Sequence, residues 1–192
     1  MNKCHKIKII KSIEENIFVK KKIIYDVDII SLLTNKIYNC LNKKGKIFIC
    51  GNGGSASDAQ HLAAELSGRF YLDSEPYFAE ALHVNTSYLT AVANDYSFEE
   101  VYRRMVRSKG RKDDILISLS TSGNSKNIIL AMEEAQKIEM INIAMSGQTG
   151  GGMKKYADYL LNAPSMDTPR IQEAHILMGH IFCELIEKEM EA

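Results

Sequence analysis

The sequence predicts an α/β protein in which a doubly wound, five-stranded parallel sheet is flanked by helices. Short apolar runs rich in β-forming residues alternate along the chain with helical segments, which is the pattern of parallel strands joined by crossover helices. In addition, two Gly/Ser-rich loops directly follow such runs. In a doubly wound sheet these loops would gather beyond the carboxyl ends of the strands, where ligands bind.

The elements are predicted in the following order. Helices over 3–24 and 28–41 precede a strand over 46–50, a glycine loop, and a helix for which Ser55 is the predicted N-cap. A strand over 77–84, a helix over 86–92, a loop over 93–95 and a helix over 98–109 capped by Ser97 follow. The remaining prediction is a strand over 114–119, a helix over 126–138, strands over 140–145 and 157–161, a turn over 164–169 and a helix over 171–190. We expect one domain over 1–192, with N-terminal helices over 1–44 and an α/β core over 45–192.

Composition narrows the possible partners and compartment. The 192 residues are 45% hydrophobic, enough for one well-packed core, and the formal net charge is zero. We therefore expect neither nucleic acid nor a membrane as a partner, because no bulk positive field exists. No apolar run approaches the roughly 20 residues that span a bilayer. The first 25 residues lack the apolar centre of a signal peptide, and the cysteines lack paired spacing, so a reducing cytoplasm is expected.

The N-terminal helix has more apolar residues than its own domain needs. Isoleucines recur at near-helical spacing, at Ile7, Ile10, Ile13, Ile17 and Ile24. We predict that this helix packs in an oligomer interface; the alternative is a helix folded onto its own sheet.

The two Gly/Ser loops are built for an anion. The first, Gly51–Ser55, enters a helix after a strand, and the second supplies hydroxyls from Ser120, Thr121, Ser122 and Ser125. Free backbone N–H groups and hydroxyls at a positive helix end bind phosphate without a lysine. A single loop of this kind is compatible with ordinary capping, but two in one chain favour a phosphate site.

Two other phosphate motifs are disfavoured. Gly51, Gly53 and Ala56 match the spacing G-x-G-x-x-A of a dinucleotide site, but the acidic residues at a suitable distance, Asp73 and Glu75, lie in a polar segment rather than after an apolar strand. A Walker-type loop is excluded because no Gly-Lys-Ser/Thr follows.

Two helices carry polar residues at four-residue spacing. His61 and Glu65 share one helix face, and Gln172 and His180 share a face of the last helix. Such pairs are more often surface hydrogen bonds than sites. If the helices meet, however, two imidazoles, a carboxylate and an amide oxygen converge in a plausible Zn²⁺ environment. Without a metal, Glu65 and His180 can act as an acid/base pair.

Five segments together resemble the phosphoheptose isomerase family of sugar isomerase (SIS) domain enzymes, which have a flavodoxin-like fold. They are CGNGGSASDAQHLAAELSGR, AVAND, SLSTSGNS, SGQTGGGM and TPRIQEAHILMGHIFCELIE. The resemblance implies isomerisation of sedoheptulose 7-phosphate to D-glycero-D-manno-heptose 7-phosphate, the first step toward the heptose of lipopolysaccharide or capsule. It also implies a cytoplasmic homotetramer with active sites where subunits meet.

The resemblance further implies roles for individual residues. Glu65 and His180 match the catalytic acid/base pair, and His61, Glu65, Gln172 and His180 match proposed ligands of one zinc ion per subunit. The implied substrate contacts are Asn52, Gly53, Gly54, Ser55, Glu65, Arg69, Asn94, Asp95, Ser120, Thr121, Ser122, Ser125, Thr168 and Gln172. The alternative function is a non-catalytic SIS protein that binds the replication initiator or senses a sugar phosphate; the complete His/Glu/Gln/His set favours the enzyme.

Overall fold

The computed structural model describes residues 3–73 and 75–191, so the extreme ends of the predicted 1–192 domain and Ser74 lie outside the described residues. The elements in chain order are α1 (Lys3–Ile23), α2 (Val27–Asn42), β1 (Ile47–Cys50), α3 (Gly54–Ser67), β2 (Ala79–Ala81), α4 (Thr86–Asp95), α5 (Val101–Lys109), β3 (Ile115–Ser120), α6 (Lys126–Lys137), β4 (Ile141–Ser146), β5 (Tyr159–Asn162) and α7 (Thr168–Glu191). Short 3₁₀ turns cover Ile24–Asp26, Phe98–Glu100 and Gly152–Lys155.

The five strands form one sheet in the order β2-β1-β3-β4-β5, and every neighbouring pair is parallel. Ile49 of β1 pairs with Ala81 on one side and with Ile117 on the other. This arrangement confirms the predicted doubly wound sheet. The strand order reverses between β1 and β3, so a crevice opens beyond their carboxyl ends, directly at the two Gly/Ser loops.

Alternate residues of each strand face two apolar layers. Ile47, Ile49, Ile117 and the other side chains on the same face of the sheet pack against α2, α3 and α7. Phe48, Leu116 and their counterparts pack against α4, α5 and α6. Because both faces of the sheet are covered, the central strands are buried throughout, including Ser118 and Ser120 of β3.

Several predicted boundaries differ from the structure for identifiable reasons. The strand predicted over 77–84 is reduced to Ala79–Ala81, because the chain turns where Val84 N–H donates to the carbonyl of Ala81. The loop predicted over 93–95 belongs to α4, whose ladder continues until Tyr96 N–H bonds Val92 O at 3.0 Å.

Three helix starts also differ. Ser55 is not an N-cap: Gly53 takes that position with a φ of 55°, and Ser55 is buried inside the first turn of α3. Ser97 makes no side-chain cap, because a 3₁₀ turn precedes α5. The last helix begins at Thr168 rather than at residue 171. Pro169, predicted to lie in a turn, occupies the first turn of α7. Proline is tolerated there because the backbone N–H that it lacks would have no partner within the helix.

The N-terminal helices differ in how much they bury. Leu33 and Ile37 of α2 are completely enclosed by the core. By contrast, α1 reaches the core through Val19 and Ile23, and Asn16 Nδ2 donates to Glu173 of α7 at 2.5 Å. Most isoleucines of α1 remain exposed, so the predicted oligomer interface is neither confirmed nor contradicted by one chain. No helix in the described ranges is both long enough and apolar enough to cross a bilayer.

Candidate active site

A polar pocket of about 320 Å³ lies where the amino ends of α3 and α6 meet at the switch point of the sheet. Nine of the predicted substrate contacts line it, together with Leu119: Asn52, Gly53, Gly54, Ser55, Ser120, Thr121, Ser125, Thr168 and Gln172. The pocket is large enough for a small ligand. The two Gly/Ser loops therefore meet beyond the carboxyl ends of the strands, as predicted.

The two loops are tied to each other by side-chain amides. Asn52 and the buried Asn127 exchange hydrogen bonds, with Nδ2 to Oδ1 distances of 2.9 and 2.8 Å. Within the second loop, the hydroxyls of Ser120 and Ser125 are 3.1 Å apart. The sequence analysis missed Asn127. The available signal was its position in the first turn of α6, directly after the hydroxyl loop.

A third loop, 147–153, supports the second from behind. Gly147 N–H donates to Thr121 O at 3.1 Å, and Met153 N–H donates to Gly123 O at 2.9 Å. Gly152 N–H donates to the Asn124 side chain at 2.8 Å. The conformation of the hydroxyl loop therefore depends on the glycine-rich segment SGQTGGGM, for which the sequence analysis had no role.

No cationic side chain is among the described residues that line the pocket. Lys126, at the start of α6, extends away to form an ion pair with Glu99 at 3.1 Å. Positive potential must therefore come from the two helix amino ends and from hydroxyl and amide N–H donors. This chemistry suits a phosphate group.

The second part of the site is a row of three side chains where α3 crosses α7. Glu65 Oε1 lies 3.0 Å from His61 Nε2, and His61 Nε2 lies 3.4 Å from His180 Nε2. The two imidazoles meet edge to face with ring centroids 5.0 Å apart, and the Phe70 ring lies 5.6 Å from His180. Burial lowers the pKa of His180, and nearby His61 lowers it further, while Glu65 opposes the shift.

These three side chains fit zinc by donor type. Imidazole nitrogen and carboxylate oxygen are common zinc ligands, and neighbouring ligands on a tetrahedral ion with bonds of about 2.0–2.2 Å stand about 3.3 Å apart. The observed separations of 3.0 and 3.4 Å agree with that spacing. Within the described ranges, no three His, Cys, Asp or Glu side chains form a closed metal-binding group. To bind one ion, the side chains of the row Glu65–His61–His180 would have to rotate until all three donor atoms face the same point.

Gln172 belongs to the other part of the site. A methyl group placed on Gly54 would stand 2.4 Å from Gln172 Nε2, so this amide lies over the first turn of α3. Eight residues of α7 separate Gln172 from His180, a rise of about 12 Å. Its role as a metal ligand stays a prediction, whereas its place in the pocket is observed.

Five predicted substrate contacts lie outside the lining of this pocket: Glu65, which belongs to the row with His61 and His180, and four others. Arg69 is exposed beside Phe70, Ser122 is exposed on the second loop, and Asn94 and Asp95 are exposed at the end of α4. Asn94 Nδ2 donates to Asp95 Oδ1 at 2.9 Å. Their substrate contacts stay predictions.

A doubly wound parallel sheet with a hydroxyl-lined pocket at its switch point is the architecture of a sugar isomerase (SIS) domain. The SIS domain family model matches residues 21–147. A phosphoheptose isomerase of Helicobacter pylori strain P12 is 55% identical over 148 residues, 77% of each chain. Phosphoheptose isomerase 2 of Campylobacter jejuni is 45% identical over 179 residues, 92% of this chain and 89% of the relative.

The solved structure of phosphoheptose isomerase from Neisseria gonorrhoeae superposes with a TM-score of 0.90 at 40% identity, covering 95% of this chain and 98% of the other. The chain therefore belongs to the phosphoheptose isomerase family of SIS domain proteins.

Proposed function

We propose that the protein is an aldose–ketose isomerase that converts sedoheptulose 7-phosphate to D-glycero-D-manno-heptose 7-phosphate. The observation that carries this proposal is the contact between His180 and the His61–Glu65 pair, at 3.4 and 3.0 Å, in a chain that also has a phosphate pocket. A binding protein needs the pocket, but it has no use for an acid/base row at a distance from it.

The spacing of the two parts suits a long sugar phosphate. His61 follows Gly54 by seven residues of α3, a rise of about 10 Å, and His180 follows Gln172 by about 12 Å along α7. A seven-carbon sugar held by its terminal phosphate would extend its C1–C2 end toward the histidines. Binding the remote phosphate thereby orients the reacting end.

The reaction requires two proton movements. A base removes a proton from C1 of the ketose, a cis-enediol forms, and the proton is returned to C2, while a second group moves a proton from the C1 hydroxyl to the C2 oxygen. Glu65 and His180 share these two tasks in our proposal. His61, hydrogen-bonded to Glu65, holds that carboxylate toward His180.

We also propose one zinc ion per chain, with His61, Glu65 and His180 as ligands. Gln172 stays only a predicted fourth ligand, because it lines the pocket about 12 Å along α7 from His180. When bound, the metal would polarise the substrate carbonyl as a Lewis acid. Glu65 and His180 would then serve as metal ligands in one state and as the acid/base pair in another.

A homotetramer is proposed on the basis of the exposed face of α1. Ile9, Ile10 and Ile13 each leave more than half of their surface exposed, at 57%, 55% and 54%. A groove of about 290 Å³ with mainly apolar walls lies between the carboxyl end of α1, the start of α2, and α7. Light scattering should report four chains for the wild type and fewer for the double variant Ile10→Lys, Ile13→Lys.

We propose that the enzyme acts in the cytoplasm, at the start of heptose synthesis for a surface polysaccharide. Cys40, Cys50 and Cys183 are buried thiols, which agrees with a reducing compartment.

The test of the activity is incubation with sedoheptulose 7-phosphate, with and without a chelator, and detection of the aldose product. Product from the wild type is expected, with a requirement for Glu65. If neither condition gives product while the sugar phosphate still binds, the non-catalytic sensing function is the correct one.

A further inference from the structure

Glu187, near the end of α7, is a buried carboxylate with an unusual set of partners. Only 8% of the residue is exposed. Its Oε1 accepts the backbone N–H of Phe70 at 2.7 Å, and its Oε2 accepts those of Tyr71 and Leu72 at 2.9 and 3.2 Å. Three N–H donors compensate the buried negative charge of the carboxylate. Hydrogen bonds to a carboxylate are stronger than hydrogen bonds to a neutral acceptor.

These bonds attach the segment after α3 to the helix that carries His180. The α3 helix ends at Ser67, and the chain then runs through Gly68 and Arg69 to Phe70. Glu187 lies seven residues beyond His180, which is two turns along the same face of α7. The anchored Phe70 ring is tilted by 39° against the His180 imidazole, with centroids 5.6 Å apart.

Glu187 also stands near the proposed base. Glu65, Phe70, Tyr77, Cys183 and Glu187 line one cavity of about 10 Å³, together with Leu66 and Ile186. Burial raises the pKa of the Cys183 thiol to about 12, and Glu65 and Glu187 both contribute to that rise. Both carboxylates therefore lie close to this thiol.

We propose that Glu187 is a positioning residue for the isomerase site. Through its bonds to the backbone of residues 70–72, it holds the Phe70 ring against His180 and thereby fixes the orientation of the imidazole toward Glu65. This inference rests on the proposed isomerase function. Glu187 does not line the substrate pocket, and its hydrogen bonds in the described part of the chain go to the backbone of residues 70–72 rather than to Glu65, His61 or His180, so it acts through Phe70.

The test uses the full-length protein with Glu187→Gln, Glu187→Asp, Phe70→Leu and the double variant Glu187→Gln, Phe70→Leu. Gln keeps one acceptor oxygen but places an NH₂ group against backbone donors, whereas Asp keeps the charge. The matched control is Glu184→Gln, one turn earlier on α7, where the carboxylate pairs with the exposed Lys188 at 2.5 Å.

We expect Glu187→Gln to lower kcat about tenfold, the size typical of residues that orient a site ligand from behind. KM should stay close to the wild-type value, because the phosphate pocket is untouched. Phe70→Leu should lower kcat similarly, the double variant should lose no more than the worse single variant, and Glu187→Asp should recover part of the loss. Glu184→Gln should match the wild type.

A second readout does not depend on turnover. With ¹³C-labelled histidine rings, the His180 signal, assigned from a His180→Asn variant, should move in Glu187→Gln and in Phe70→Leu as the Phe70 ring leaves it. It should stay in place in Glu184→Gln. A wild type with no turnover of sedoheptulose 7-phosphate would refute the proposed function, while the ring signal would still decide the role of Glu187.

Three results would overturn the proposal: a folded Glu187→Gln protein with wild-type kcat, kcat losses that multiply in the double variant, or an unchanged His180 signal. If Glu187→Gln does not fold, Phe70→Leu decides instead, because that variant leaves the three hydrogen bonds in place. Wild-type kcat in Phe70→Leu would then be the contrary outcome.

Discussion

His61 and His180 are 119 residues apart in the chain, yet their Nε2 atoms lie 3.4 Å apart where α3 crosses α7. The crossing depends on close approach of the helices: a methyl group on Gly179 would stand 2.5 Å from two carbons of Leu62. Small side chains on α3, such as Ala59 and Ala63, are buried in the same layer. The proposed chemistry depends on this contact, because it holds the helix that carries Glu65 against the helix that carries His180.

Glu65→Gln should abolish most of the turnover without loss of the fold. The amide is similar in size and can still bond His61, but it can neither accept a carbon-bound proton nor hold a positive ion equally well. General acid–base catalysis contributes about 10²–10⁴-fold, so we expect kcat to fall at least about a hundredfold.

The matched control is Glu133→Gln on α6, where the carboxylate pairs with Lys137 at 3.3 Å, away from the pocket. Product formation and circular dichroism are measured on both variants. Turnover by Glu65→Gln within a few-fold of the control would remove Glu65 from the mechanism.

Zinc removal tests the metal proposal separately. Purified protein should contain zinc in proportion to chain concentration, and His61→Ala should contain much less, because His61 is the donor that bridges Glu65 and His180 in the observed row. Atomic emission gives the metal content, and a chelator followed by zinc or magnesium gives the dependence of rate on the ion. Wild-type zinc content in His61→Ala would show that the ion, if bound, lies elsewhere.

The sequence predicted those features that depend on local spacing. The four-residue interval placed His61 and Glu65 on one face, and hydroxyl loops after two strands predicted the pocket. It could not predict contacts between groups that are distant in sequence. Asn127 bonds Asn52, 75 positions away, and only its place after the hydroxyl loop pointed to it. Glu187 bonds amides more than a hundred positions away, and no motif marks it. The start of α3 at Gly54 depends on the positive φ of Gly53. The general preference for serine at the N-cap led to Ser55 instead.

Two glycine substitutions should separate the effect on the site from the effect on the fold. In Gly54→Ala the new methyl group meets the end of the flexible Gln172 side chain, 2.4 Å from Nε2. The side chain can move away, so stability should change little, but the amide leaves the pocket and kcat/KM should fall.

In Gly123→Ala the methyl group would stand 2.3 Å from the carbonyl oxygen of Gly150, and φ is 67°. Backbone atoms cannot move aside as a flexible side chain can. A non-glycine residue held at such a φ costs of order 1–3 kcal/mol of folding free energy, before the steric clash is counted. Thermal unfolding should therefore show a drop of several degrees in Tm for Gly123→Ala and almost none for Gly54→Ala. Equal Tm values would contradict the proposed support of the hydroxyl loop by residues 147–153.

His175 should make the folded state sensitive to acid. Its side chain is fully buried, Nε2 donates to Ser146 O at 3.1 Å, and Nδ1 has no hydrogen-bond partner among the described residues. Burial lowers the pKa of His175 from 6.5 to about 4. Between these values the unfolded chain binds a proton that the folded chain refuses, so the contribution to stability is complete above pH 6.5 and is lost as the pH falls toward 4. The slope for one such group is about 1.4 kcal/mol per pH unit.

Urea unfolding of the wild type and of His175→Gln at pH 7.5, 6.0 and 5.0 measures this contribution. Gln keeps a donor for Ser146 O but does not titrate, so the wild type should lose about 1–2 kcal/mol more than the variant between pH 7.5 and 5.0. Chelator in every sample keeps metal release out of the comparison. Parallel pH dependence in the two proteins would mean that His175 gains a proton in the folded state as readily as in the unfolded chain, which would require water to reach a residue that the structure encloses completely.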